Sequence, residues 1–167
     1  MQKPSKNAKR LFPFALAGAL MLLGMGCGEE LNTNCDGDNA QPIETFFDSD
    51  FDSAICQLNA QNIDQSEKET HLIIKTQNDF ERYVNCTENA PTIDFDKYFV
   101  LAGVYRHHHC ALIDRQSVVL CKGKLIYRVR LLELDCPSFT SVTYFTVMSK
   151  DYDSKEVEFD VQFVNKD

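Results

Sequence analysis

The segment from Tyr98 to Val164 most constrains the fold, because it reads as five strand-length runs joined by links too short to hold a helix. Tyr98–Tyr105 is apolar on both faces, the mark of a central strand. Ala111–Leu120 closes on Val118, Val119 and Leu120, and Lys122-Gly123 then supplies a tight turn into Leu125–Leu134. There Leu125, Tyr127, Val129 and Leu131 alternate with Arg128 and Arg130. Ser141–Met148 is rich in Val, Thr, Tyr and Phe. In Glu156–Val164, Val157, Phe159, Val161 and Phe163 alternate with Glu156, Glu158, Asp160 and Gln162. Short links favour antiparallel neighbours. Upstream, His71–Lys75 is a further short strand around Leu72, Ile73 and Ile74. Thr76 can cap a helix over 77–86, with Asp79 in its first turn and Phe80, Tyr83 and Val84 on one face. Residues 89–92 (Asn-Ala-Pro-Thr) break that pattern, and loosely spaced Phe51, Ile55 and Leu58 point to a short helix near 51–59. The expected class is α+β: a curved, mainly antiparallel sheet of five to six strands with one short packed helix.

The N-terminus carries an address. Lys3, Lys6, Lys9 and Arg10 precede a short apolar run from Leu11 to Gly26, and Cys27 follows directly. A basic start, a short apolar stretch and small residues before the cut make a secretory signal rather than a membrane span. A cysteine at that position is the lipidation site of a bacterial lipoprotein. The chain therefore divides into a signal peptide (1–26), a polar tether (27–43) and a single α+β domain (44–167). The net charge of −8 includes the four cations of the leader, so its removal leaves −12. An acidic surface argues against nucleic acid and against polybasic attachment to lipid. The bilayer partner would be reached through acyl chains, including palmitate, on Cys27, each buried CH₂ contributing roughly 0.8 kcal/mol.

Cys27 apart, six cysteines remain: Cys35, Cys56, Cys86, Cys110, Cys121 and Cys136. An even number in an exported chain reads as disulfides, and the absence of any CxxC pair argues against thiolate metal ligation. If the strands alternate in direction, Cys110 and Cys136 lie beyond one end of the sheet and Cys86 and Cys121 towards the other. Cys35 and Cys56 are then left to pair. A Cys110–Cys136 bridge would stabilise by about 3 kcal/mol.

The one obvious chemical cluster is His107-His108-His109. In an extended segment His107 and His109 share a face while His108 points away, so a metal would gain two imidazoles and need a further ligand from His71 or a carboxylate. The competing reading is a polar loop beside a disulfide. Asp48, Asp50 and Asp52 resemble the opening of a calcium loop, but Ser53 and Asn59 occupy the positions that need glycine and glutamate. Asp36-Gly-Asp38 reads as a turn. No nucleophile elbow, zinc-protease helix, phosphate loop or dinucleotide fingerprint is present, and a Cys110–histidine nucleophile pair is opposed by sequence adjacency. The chain is therefore expected to have no enzymatic activity and no cofactor.

The order of a strand, a short helix with the acidic-aromatic pattern of residues 78–83 (Asn-Asp-Phe-Glu-Arg-Tyr), the phrase of residues 93–101 (Ile-Asp-Phe-Asp-Lys-Tyr-Phe-Val-Leu) and a strand meander resembles a known family. It is similar to the C-terminal domain of the protease complex subunit PrcB and to lipoproteins of the Bacteroidetes lineage, over roughly 90 residues from Leu72 to Phe163. The resemblance implies a partner-binding or accessory role. It also makes Glu29-Glu30 a candidate surface-export signal and Asp52-Ser53-Ala54 a candidate O-glycosylation tripeptide. The expected function is an outer-membrane, surface-exposed lipoprotein acting as a protein-interaction module on an unidentified protein partner. A protease-associated accessory or inhibitory subunit, and an envelope metal-binding protein using His107 and His109, are the alternatives.

Overall fold

The computed structural model describes residue 35 and residues 40–45, 56–87 and 90–164. Cys27, the leader, Glu29, Glu30 and the aspartates at 36, 38, 48, 50 and 52 lie outside the described residues, as does Ser53-Ala54.

The described chain is mostly strand with one α-helix, in the order β1 (Gln41–Ile43), β2 (Cys56–Leu58), β3 (Glu69–Ile74), α1 (Gln77–Tyr83), β4 (Val84–Cys86), β5 (Tyr98–His107), β6 (Ala111–Cys121), β7 (Lys124–Glu133), β8 (Thr140–Ser149) and β9 (Val157–Val164). This is the expected α+β class, but its strands fall into three sheets, ordered β1-β6-β7-β9, β3-β5-β8 and β2-β4. The short links after β5, β7 and β8 each carry the chain from one large sheet to the other. They are sheet switches, not hairpins. One consequence is that β9 lies parallel to β7, the one parallel pair among the described strands of a mainly antiparallel fold.

The two large sheets face each other across one core. Side chains alternate along a strand, so the row Phe99, Leu101, Tyr105 of β5 and the row Val142, Tyr144, Met148 of β8 meet Leu125, Tyr127, Val129 and Leu131 of β7. Val157, Phe159, Val161 and Phe163 of β9 pack against the same core, as their alternation requires. A register shift between Ile113 and Arg115 lets β6 contribute to it on both sides of Asp114. Ala111 and Ile113 before the bulge and Val118 and Leu120 after it join one cluster although their parity differs. Lys122 and Gly123 both have positive φ, 50° and 81°, the backbone of a two-residue hairpin turn whose twist suits the strands it joins.

The other face of β5 and β8 (Val100, Ala102, Val104, Phe145, Val147) is covered by α1 and the β2-β4 pair through Phe80, Val84, Cys56 and Leu58. Thr76 caps α1, its hydroxyl accepting from the Asp79 amide at 3.1 Å. The helix ends at Tyr83, three residues short of the expected end, because Val84–Cys86 pairs with β2 instead. The same pairing makes Cys56–Leu58 a strand where a helix near 51–59 was expected; residues 51–55 lie outside the described set.

Three disulfides are formed. Cys110–Cys136 is the expected bridge, with Cα atoms 5.5 Å apart. The other two expected pairings, Cys35–Cys56 and Cys86–Cys121, are replaced by Cys35–Cys121 and Cys56–Cys86. The physical reason is the division into sheets. Cys56 and Cys86 are direct cross-strand partners in the small sheet. Cys121 ends β6 on the outer face of the four-stranded sheet, where Cys35 packs with Val119 and Ile126. The folded part consequently reaches into the expected tether of 27–43: Cys35 is covalently held, its carbonyl accepts from Arg128 Nη2 at 2.7 Å, and β1 pairs with Val118–Leu120.

Candidate functional site

At one end of the sandwich the inward rows of two facing strands run out into polar residues. In β5 the row Leu101, Gly103, Tyr105 continues to His107, and in β7 the row Val129, Leu131 continues to Glu133. His109 follows in the β5–β6 link. These three side chains meet. His109 Nδ1 bonds a Glu133 carboxylate oxygen, and the other Glu133 oxygen stands 3.2 Å from His107 Nε2. One donor atom from each residue can be chosen so that all lie within 4.8 Å of one another.

The surroundings fix this geometry. The His107 ring lies against Phe163 of β9, centroids 4.5 Å apart, and edge-on to His109 at 5.7 Å. Its Nε2 is buried, and no hydrogen bond of good geometry reaches it. The Glu133 oxygen at 3.2 Å does not complete one. Glu133 is held below the usual carboxylate range, chiefly by the bond from His109, which outweighs the opposing effect of burial, with a lesser contribution from His107. It is therefore an anion at neutral pH. Beneath the cluster the Cys110–Cys136 disulfide ties the two links together, reinforced by Cys110 N–H donating to the Cys136 carbonyl at 3.1 Å and Leu134 N–H to the Cys110 carbonyl at 2.8 Å. A cleft of about 510 Å³ opens beside it, lined by His109, Glu133, Asp135, Pro137 and Val164 among others.

Of the residues singled out in the sequence, His107 and His109 are brought together and His108 turns away, as an extended segment requires. His108 sets its ring edge against Phe139, a 62% exposed aromatic in the β7–β8 link. The open choice of a third partner falls to the carboxylate Glu133. His71 is elsewhere: it stacks on Phe159 at 4.3 Å with the rings nearly parallel, and burial pushes its pKa down, so it is neutral at pH 7. Cys110 is oxidised and offers no nucleophile. Glu133 is the residue that sequence reasoning missed, although a signal existed: an apolar alternating row that ends in a carboxylate places that charge on the core side of the strand end.

A second cleft of about 480 Å³ lies between α1 and residues 90–92, lined by Gln77, Phe80 and Glu81 with Pro91. It gathers no comparable set of donors. No described helix is long and apolar enough to cross a membrane. Compared with protein-family models, with curated proteins and with solved structures, the chain matches none.

Proposed function

We propose that this chain is an exported lipoprotein, acylated on Cys27 and held at the outer membrane of a bacterial envelope, whose disulfide-bonded domain is a non-catalytic protein-contact module. The observation that carries the reading is the cysteine inventory. Six of the seven cysteines pair among themselves in three disulfides, which leaves over the one that directly follows the apolar leader. Disulfides of this number belong to an oxidising compartment. Two or more acyl chains on Cys27 suffice for stable anchoring.

Cys27→Ser is expected to release the protein from the membrane fraction and to abolish incorporation of labelled palmitate. A substituted protein that still partitions with membranes would overturn the anchor.

The contact surface in this reading is the rim at which Phe139 and His108 stand beside the 510 Å³ cleft. An exposed aromatic over a disulfide-stapled link is a rigid anchor of the kind interfaces favour. The narrower version, following the likeness to the PrcB C-terminal domain, makes the partner a protease. A photo-crosslinking residue at position 139 should give a discrete protein adduct in intact cells, while one at exposed position 155, beyond the far end of β8, should not. Equal labelling at both positions, or none at 139, sinks the assignment of this rim.

A further inference from the structure

We propose that His107, His109 and Glu133 form a binding site for a divalent first-row transition metal ion of the zinc class, with one coordination position open to the neighbouring cleft. The donor set is two imidazoles and a carboxylate, a combination suited to zinc and its neighbours and poorly suited to calcium or magnesium, which take oxygen ligands. Zinc bonds of about 2.0–2.2 Å place tetrahedral donors roughly 3–4 Å apart. The three donors already lie within 4.8 Å, so small side-chain rotations complete the set.

The buried His107 Nε2 points independently to a ligand. This nitrogen is shielded from water and lacks a well-aligned hydrogen bond, yet a carboxylate oxygen is 3.2 Å away. A cation between them satisfies both groups, where a direct hydrogen bond satisfies one poorly. The supports are rigid as well. His107 lies on a strand and against Phe163, Glu133 ends a strand of the opposite sheet, and the Cys110–Cys136 bridge fixes the link that carries His109. A bound ion would join β5 to β7 across the sandwich. On the open side, Asp135 lines the cleft into which a water or a partner's donor would enter. The site does not depend on the anchored-module reading, since every donor lies in the disulfide-bonded domain.

The test uses the full chain in detergent micelles with its disulfides intact, titrated with zinc chloride against a competing chromogenic chelator. One equivalent per chain is expected. His109→Ala and Glu133→Gln should each weaken binding on the order of tenfold or more, while His108→Ala leaves the isotherm unchanged. Copper(II) should bind more tightly than zinc, and excess calcium should not compete. His109 is 53% exposed at its side chain, so its replacement leaves the core intact; near-ultraviolet circular dichroism verifies this. The proposal is overturned by the absence of saturable binding at micromolar zinc. It is equally overturned if His108→Ala weakens binding as much as His109→Ala, which would assign the metal to an unstructured histidine tract, or if calcium displaces the zinc.

Discussion

Gly103→Ala is expected to cost about 3 kcal/mol of folding stability, the upper end of what overpacking a core usually costs. Gly103 sits in the inward row of β5 directly opposite Tyr144 of β8, and the phenol ring lies over the space a side chain would occupy. A Cβ at position 103 would stand 2.3 Å from Tyr144 Cε2 and 2.6 Å from its hydroxyl oxygen. The ring has little room to retreat. Tyr144 is 1% exposed, meets Tyr127 edge-on at 5.8 Å and lies 6.3 Å from the His71 ring. Urea unfolding under oxidising conditions measures the loss, and a change within about 0.5 kcal/mol, the size of an ordinary surface substitution, would contradict this packing. The sign is checked by a companion. Gly103→Ala combined with Tyr144→Val should be less damaging than the two single changes added together, because the smaller side chain vacates the space. Tyr144→Phe should be neutral or stabilising, by up to about 1 kcal/mol, since it removes a buried hydroxyl that has no hydrogen-bond partner among the described residues. Burial also raises the Tyr144 pKa well above that of free tyrosine, so the phenol stays neutral at every ordinary pH.

Local structure was legible because alternation and turn chemistry are local properties. The four apolar residues of β9, the Lys122-Gly123 turn and the Thr76 cap all follow from the spacing of a few neighbours, and each appears where the sequence puts it. The assignment of strands to sheets was not legible. The three-residue link from His107 to Ala111 looks the same whether it turns a hairpin or crosses between sheets, and only the global burial of both rows decides. That ambiguity propagated into the disulfides, whose expected pairing presumed one sheet with alternating directions. It also hid the third member of the rim cluster. His107 and His109 are close in sequence, whereas Glu133 reaches them only because β5 and β7 face each other from different sheets. β1 escaped notice for another reason: three residues containing Pro42 carry too little periodicity to signal a strand, and Pro is at home at a sheet edge such as this one.

Joint replacement of Cys35 and Cys121 by alanine should lower stability by about 4 kcal/mol, the largest effect among the three bridges on a loop-closure argument. The sequence separation closed by this bridge is 86, against 30 for Cys56–Cys86 and 26 for Cys110–Cys136. Loop entropy grows only as the logarithm of length, so the advantage over Cys56→Ala/Cys86→Ala should be about 1 kcal/mol. The loss is also local. Without the bridge, the segment before β1 keeps the Arg128 bond to the Cys35 carbonyl and a three-residue pairing with Val118–Leu120, too little to hold a sheet edge by itself. Amide exchange at Gln41 and Ile43 should therefore accelerate well before the core of β5 and β7 responds. Mass mapping of a non-reduced digest comes first: recovery of a Cys86–Cys121 peptide would refute this connectivity and the prediction with it. If Cys27 is acylated as proposed, the bridge has a second consequence. Eight peptide steps separate Cys27 from Cys35 and span at most about 28 Å, which limits how far the Cys35–Cys121 bridge can stand from an acyl group on Cys27. His107, His109 and Glu133 lie at the other end of the sandwich, beyond the Ala111 end of β6, with about 35 Å of β6 between. Removing the bridge lifts that limit. The expected result is a domain that unfolds more easily and loses its β1 edge first.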